Sequence, residues 1–298
     1  MKKIFFAGCG GMLGDAFYNV FKEEFEILCA DINISEKWLE FLDFRNFENY
    51  YELVNKFKPD CLVHLGAHTD LEYCEKNIED TYSTNTISVE YAVHIANELS
   101  IPIIYIGTAG IFDGKKEKYY DWDVPNPLNH YGKSKYNAEK FVQNNAIKYL
   151  ILRAGWMMGG GPTKDKKFVN KILKQIRNGH KELNVVDDKM GTPTYTVDFA
   201  NNCKKILIED QWGLYNLACS GLTDRCEVAS EILDFFKLNK TIKLNKVGSD
   251  FFIKDYFAPR PKSERLVNKK LQHKKLDIMR DWRVCLREYL SCKYQNYL

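Results

Sequence analysis

Two hydrophobic rhythms alternate along the N-terminal half of the chain. Short, almost unbroken apolar runs predict strands at KIFFAG (3–8), FEILCAD (25–31), CLVHLGA (61–67), IPIIYIG (101–107) and KYLILRAG (148–155). Between them, MLGDAFYNVFKE (12–23), NFENYYELVNKFK (46–58), the stretch 80–99 and NHYGKSKYNAEKFVQNN (129–145) show the wider spacing of helices, and Pro59 closes the second. Strands alternating with helices imply βαβ units and a parallel sheet. Runs apolar on both sides imply that helices cover both faces of that sheet, so the expected class is α/β, doubly wound.

After Gly155 the pattern loosens. GGGP (159–162) is a strong turn signal; helices are expected at 168–178 and 196–209, a strand at 213–218, and shorter elements beyond, interrupted by Pro259 and Pro261. A length of 298 residues suits one large α/β domain or two domains sharing a cleft. The expected division is a dinucleotide-binding domain over 1–155, to which 190–218 returns. A smaller substrate-binding lobe is expected from 156–189 and 219–298.

Composition narrows the function classes. Lys plus Arg number 43 and Asp plus Glu 40, a net charge of +3, and the cluster KKEK (115–118) is too short for a nucleic-acid footprint. The start, MKKIFFAGCGGML, lacks the small-residue cleavage site of a signal peptide, and no apolar run is long enough to span a bilayer. Nine cysteines without a CxxC pair read as buried free thiols of a cytoplasmic protein. His64 and His68 stand four apart, but Gly66 lies between them where strand becomes loop, so no metal site is expected.

GCGGMLG (8–14) follows the first strand and opens the first helix. Gly8, Gly10, Gly11 and Gly14 allow a tight turn in which the backbone can approach a pyrophosphate. The helix start at Met12 and Leu13 offers free N–H groups and a favourable dipole. The spacing is GxxGxxG. Asp31, ending the second strand, would accept hydrogen bonds from the adenosine ribose and repel a 2′-phosphate, which favours NAD over NADP. Asp43 ends a further apolar stretch and is a candidate for the adenine amine.

The candidate chemistry lies at the other end of the cofactor. Tyr131 and Lys135 share a helix face at i, i+4. Thr108 sits just past an apolar strand, at the strand end that faces the ligand crevice of such sheets. A free phenol has a pKa of about 10. Lys135 as an ammonium, with an oxidised nicotinamide, is expected to lower that value by roughly one to three pH units. Tyr131 could then exchange a proton with a carbonyl oxygen while Thr108 hydrogen-bonds the same atom. Lys135 would also hold the nicotinamide ribose, and Asn85 would order the site through water.

GCGGMLG, HLGAHTDLEYCE (64–75), GTAGIFDG (107–114), YGKSKYNAE (131–139), LRAGWMMG (152–159), DDKMGTPTYTVDFA (187–200) and APRPKSERL (258–266) together resemble the dTDP-4-dehydrorhamnose reductase group of the extended short-chain dehydrogenase/reductase family. The resemblance implies a Rossmann-type fold, NAD or NADP as cofactor, and a nucleotide-sugar substrate. It implies triad roles for Thr108, Tyr131 and Lys135, cofactor contacts at Gly66 and Ala67, and substrate contacts at Thr69, Trp156 and Arg260. The chain departs from the pattern where relatives read STDYVFDG: Ala109 and Gly110 replace an aspartate and a tyrosine beside the substrate. Dehydratases of the superfamily need an acid and a base there, so reduction is expected rather than dehydration. Epimerisation, or a non-catalytic NAD(P)-binding subunit, are the alternatives. A homodimer through the apolar helix at 80–99 is a further possibility.

Overall fold

A computed structural model describes residues 2–298. In chain order the N-terminal half runs β1 (Lys3–Ala7), α1 (Met12–Phe21), β2 (Glu26–Asp31), β3 (Leu39–Phe41), α2 (Phe47–Phe57), β4 (Cys61–His64), α3 (Leu71–Lys76), α4 (Ile78–Tyr82), α5 (Ser88–Glu98), β5 (Ile103–Thr108), α6 (His130–Asn145) and β6 (Tyr149–Ala154). There follow β7 (Trp156–Met158), α7 (Gly161–Lys164), α8 (Phe168–Arg177), β8 (Glu182–Val186), β9 (Met190–Gly191), β10 (Pro193–Tyr195), α9 (Thr196–Ile208) and β11 (Gly213–Leu217). The chain ends with β12 (Thr223–Asp224), α10 (Arg225–Phe235), β13 (Lys243–Val247), α11 (Lys269–His273) and α12 (Trp282–Tyr294).

Seven strands form one parallel sheet in the order β11-β6-β5-β4-β1-β2-β3. The alternation of each strand divides its side chains between two cores. Ile4, Phe6, Val63, Ile104 and Leu152 point to the side of Phe17, Phe21, Phe199 and Cys203, whereas Phe5, Leu62, Ile103, Tyr105 and Ile151 point to the side of Tyr50, Val54, Val93 and Val142. Each such aromatic or aliphatic side chain stabilises the fold by about 1.5–3 kcal/mol when fully buried. The strand expected at 213–218 is present and lies beside β6 at the sheet edge. The apolar positions of α5 are buried within the chain, against the sheet.

Pairing register aligns the carboxyl ends of the strands that matter. Ala7 pairs with Ala30 on one side and His64 on the other, and Thr108 pairs with Ala154. The loops after β1, β4 and β5 therefore share one rim. The chain proceeds outward in opposite directions from the β1/β4 boundary, which is the switch point where open α/β sheets bind ligands.

The helix expected over 80–99 differs in detail. It is α4, a five-residue π-helical segment at Ser83–Ile87, and α5. A π segment widens a helix by one residue and often marks a functional site; here it carries Asn85, which is fully buried. All nine cysteines are free, and only Cys292 is exposed. No helix among the described residues is long and apolar enough to cross a membrane.

Candidate active site

Thr108 closes β5, and its Oγ1 accepts a hydrogen bond from the Gly110 N–H at 3.1 Å, capping the short turn Ala109–Ile111. Tyr131 lies in the first turn of α6. That turn is fixed by Asn129, whose side chain accepts from the Gly132 N–H at 2.7 Å and donates to the Pro259 carbonyl at 2.7 Å. A Cβ on Gly132 would overlap the Gly110 carbonyl oxygen. Glycine at 132 thus lets α6 lie directly on the turn that follows Thr108. Gly132→Ala should cost about 1–3 kcal/mol of stability by overpacking. It should push Tyr131 away from Thr108, read as a lower Tm together with a larger loss in kcat than in cofactor affinity.

The two hydroxyl-bearing side chains face one space. The point where a Cβ on Gly110 would sit is 3.2 Å from Tyr131 Cε1, 3.5 Å from Thr108 Oγ1 and 3.6 Å from Glu264 Oε1. Lys135 is buried one turn further along α6, with its Nζ 4.3 Å from the centre of the Tyr105 ring. The Tyr105 hydroxyl donates to the Lys135 carbonyl at 3.1 Å.

Electrostatics here differ from the sequence expectation. Burial pushes the Tyr131 phenol up to about 12, and the neighbouring Thr108 hydroxyl opposes that rise. Burial also lowers Lys135 to about 7, with the nearby Glu139 carboxylate opposing. In the protein alone Lys135 does not make the phenol acidic: desolvation outweighs Coulomb attraction and drives the lysine itself toward neutrality. The phenol therefore keeps its proton at neutral pH, which is the form that gives a proton away. Stability should respond accordingly. Between pH about 7 and about 10.5 the unfolded chain holds a proton on this amine that the folded chain has released, so unfolding free energy rises with pH across that window. Denaturant titrations at several pH values should show this slope in the wild type and a flatter one in Lys135→Met.

Asn85 joins the loop after β4 to α6. Its Oδ1 accepts from the His68 N–H at 2.7 Å, and its Nδ2 donates to the His68 carbonyl at 3.0 Å and to Ser134 Oγ at 3.1 Å. These are direct contacts, where sequence reasoning expected ordering through water. Glu139, two turns beyond Tyr131, is buried in a two-point ion pair with Arg153 at 2.6 and 2.9 Å.

The glycine turn fits a dinucleotide. Gly8 has φ +81°, and a Cβ there would overlap the backbone of Gly66, so the turns after β1 and β4 touch backbone to backbone, with Ala67 next in line. Nothing lies within 4 Å of a Cβ built on Gly11. Helix α1 starts at Met12 with no side-chain cap. The N–H groups around Gly11, Met12 and Leu13 are thus open to an anion. Gly14 lets α1 approach the Cys9 carbonyl. Asp31 accepts from the Gly10 N–H and the Asn33 N–H, each at 2.8 Å, and so braces the turn from the end of β2. Asp43 differs from expectation in its bonding: Arg45 takes both its oxygens, at 2.9 and 2.7 Å, and holds its carboxyl below the usual range. An adenine amine would have to compete with that arginine.

Near Glu264 and the loop after β4 gather cationic and aromatic side chains that form a wall. Thr69 accepts from Lys167 Nζ through its hydroxyl at 2.9 Å and its carbonyl at 3.0 Å. Arg260 is bound to Glu72 at 2.7 and 2.9 Å. The Trp156 indole N–H donates to Glu264 Oε2 at 2.8 Å. Arg225 stacks on Trp156 at 4.3 Å and on Phe168 at 4.9 Å, with no ion-pair partner among the described residues. Sequence reasoning missed Lys167, Arg225 and Glu264. Glu264 lay inside the quoted stretch APRPKSERL, but nothing local to the sequence placed Lys167 or Arg225 here. A separate cavity of about 610 Å³, lined by α9 and residues between 278 and 288, contains none of the candidate residues.

Residues 1–294 match the family model described as RmlD substrate binding domain. The chain is 30% identical to dTDP-4-dehydrorhamnose reductase of Escherichia coli strain K12, over 84% of this chain and 85% of that one. The crystal structure of dTDP-4-dehydrorhamnose reductase from Bacillus anthracis in complex with NADP superposes with a TM-score of 0.89 at 25% identity, covering 98% of this chain and 100% of that one. Methionine adenosyltransferase 2 subunit beta of Xenopus laevis is 25% identical, over 97% of this chain and 87% of that protein. With a family model spanning nearly its whole length and a sheet, glycine turn and YxxxK helix arranged around one switch point, the chain belongs to the RmlD substrate-binding-domain family, an RmlD-like branch of the short-chain dehydrogenase/reductases.

Proposed function

We propose that this chain is an NAD(P)H-dependent reductase of a keto group on a nucleotide-linked deoxysugar, with Tyr131 as proton donor. The observation that carries the proposal is that Tyr131 and Thr108 lie side by side at Gly110. The likeness to the Escherichia coli reductase supports the substrate class. So does the cationic wall of Lys167, Arg225 and Arg260 with Trp156 and Phe168, which suits a diphosphate flanked by rings. We assign the segments 156–189 and 219–298, which supply most of that wall, to substrate binding.

A bound nicotinamide would supply hydride. The chain's own residues do the rest. Thr108 and Tyr131 hydrogen-bond the carbonyl oxygen and so polarise it. Tyr131, protonated at neutral pH, delivers its proton to that oxygen as negative charge develops there. Lys135 then stabilises the phenolate, and Glu139 favours the lysine's charged form. Gly11, Met12 and Leu13 present N–H groups to the pyrophosphate. The Asp31 carboxylate suits ribose hydroxyls and opposes a 2′-phosphate, which favours NADH. The Bacillus anthracis relative was solved with NADP, so the ratio of kcat/KM for the two cofactors is the deciding number.

The test is incubation of the purified protein with dTDP-4-dehydrorhamnose and each reduced cofactor, following cofactor absorbance and product together. The expected result is one cofactor oxidised per sugar reduced. Sugar isomerisation without net oxidation would replace the reading by epimerisation. Cofactor binding with no turnover of any nucleotide sugar would replace it by a non-catalytic subunit.

A further inference from the structure

Glu264 belongs to no helix or strand, yet its place is fixed. Its own N–H donates to the Met190 carbonyl at 2.9 Å, and Met190 N–H donates to the Lys262 carbonyl at 2.8 Å. Ser263 Oγ donates to the Glu117 carbonyl at 2.6 Å, and Leu266 N–H donates to Thr192 Oγ1 at 3.1 Å. Gly114, at φ +76°, has no Cβ to obstruct the backbone of residues 261–263. The side chain that this frame presents is half-buried. Trp156 holds Oε2, while Oε1 takes no hydrogen bond from any described residue and lies close to Tyr131 and Thr108, around the point where a Cβ on Gly110 would sit.

A carboxylate in that position is costly for the proposed chemistry. It opposes ionisation of Tyr131, the very charge that proton donation creates. Arg225, stacked on the Trp156 face, attracts it through space but makes no ion pair with it. Fixing Trp156 needs only a neutral acceptor, which glutamine would supply. The free oxygen can accept from a donor outside the chain, and with glycine at 110 no side chain stands between it and Tyr131.

We propose that Glu264 is a substrate-selecting residue. Its free Oε1 accepts a hydrogen bond from a hydroxyl or ammonium group on the sugar carbon next to the carbonyl that is reduced. This rests on the reductase reading for the position of the sugar, and it deepens that reading by naming the substituent the substrate must carry. The hydrogen-bonded carboxylate would then hold the ring by its neighbouring substituent while Thr108 and Tyr131 hold the carbonyl oxygen.

The experiment compares wild type with Glu264→Gln in calorimetric titrations, in the presence of oxidised cofactor, and in kcat/KM. The probes are dTDP-4-dehydrorhamnose, its 3-deoxy counterpart and its 3-amino counterpart. A hydrogen bond to a charged group predicts that the wild type binds the hydroxyl- or amino-bearing sugar about 10- to 100-fold more tightly than the 3-deoxy sugar. In Glu264→Gln that preference should shrink to roughly threefold or less, with affinity for the 3-deoxy sugar little changed. Whichever of the hydroxyl and amino sugars the wild type favours identifies the natural donor. Equal discrimination by the two proteins overturns the proposal. So does an equal loss for all three sugars, which would mean that Glu264 acts only through Trp156. Because affinity is read without turnover, a wild type that discriminates but reduces nothing sinks the reductase reading and leaves the selecting role standing. A wild type that binds none of the three sinks both.

Discussion

Tyr131→Phe is expected to lower kcat for ketosugar reduction by about 10²- to 10⁴-fold, the usual worth of a positioned general acid. Cofactor affinity should change little. The expectation follows from position and protonation together. The ring borders the space beside Thr108, and burial holds the phenol in its protonated form up to about pH 12. Phenylalanine keeps the ring packing and removes only the proton and the hydrogen bond. Thr108→Val should show a smaller loss, since a hydrogen bond to the carbonyl is removed while the acid remains. Stopped-flow single-turnover rates separate these effects from product release. A Tyr131→Phe protein with wild-type single-turnover rates would remove Tyr131 from the mechanism.

The second large effect is structural. Glu139 and Arg153 are both buried, and they meet in a two-point pair between α6 and β6 at 2.6 and 2.9 Å. Arg153 also donates to the Asp121 carbonyl at 3.1 Å. Removing one partner leaves the other charge buried and uncompensated, at a cost of about 3–5 kcal/mol. Glu139→Gln should therefore unfold at markedly lower denaturant concentration than wild type. The double variant Glu139→Gln with Arg153→Met should recover part of that loss. Glu139 also favours the charged form of Lys135, so the single variant should weaken turnover beyond what its stability explains. Equal stability of wild type and Glu139→Gln would show that the pair contributes nothing to the fold.

The sheet was legible because its signals are local. Each β-strand of the N-terminal half except β3 is a run of apolar residues, and β3 spans only three residues, of which Leu39 alone is buried. The triad helix and the glycine turn were legible for the same reason: i, i+4 spacing and glycine-rich turns are short-range facts. What the sequence hid is long-range or environmental. Glu264 reaches the site through contacts with Met190 and Trp156, more than seventy positions away in the chain. Arg225 arrives by stacking on Trp156, which only the assembled fold supplies. The sign of the Tyr131 shift depends on burial, and burial is not written in a YxxxK spacing. The π segment at Ser83–Ile87 has no breaker residue to announce it, and its Asn85 bonds across to His68 and Ser134, far off in the chain. Asp43 has a local partner that the sequence reading did not consider. Arg45, two positions on, engages both carboxylate oxygens that the sequence reading had set aside for an adenine.

The central claim is that Tyr131 protonates the carbonyl oxygen of a nucleotide-linked sugar while hydride reaches the adjacent carbon. Its most direct test uses cofactor deuterated on the transferred position, with mass-spectrometric and NMR analysis of the sugar product from wild type and Tyr131→Phe. The account predicts deuterium at the former carbonyl carbon, one for each cofactor oxidised by wild type, and near-complete loss of transfer in the variant. Unlabelled product from the wild type, or equal labelling by both proteins, would contradict it.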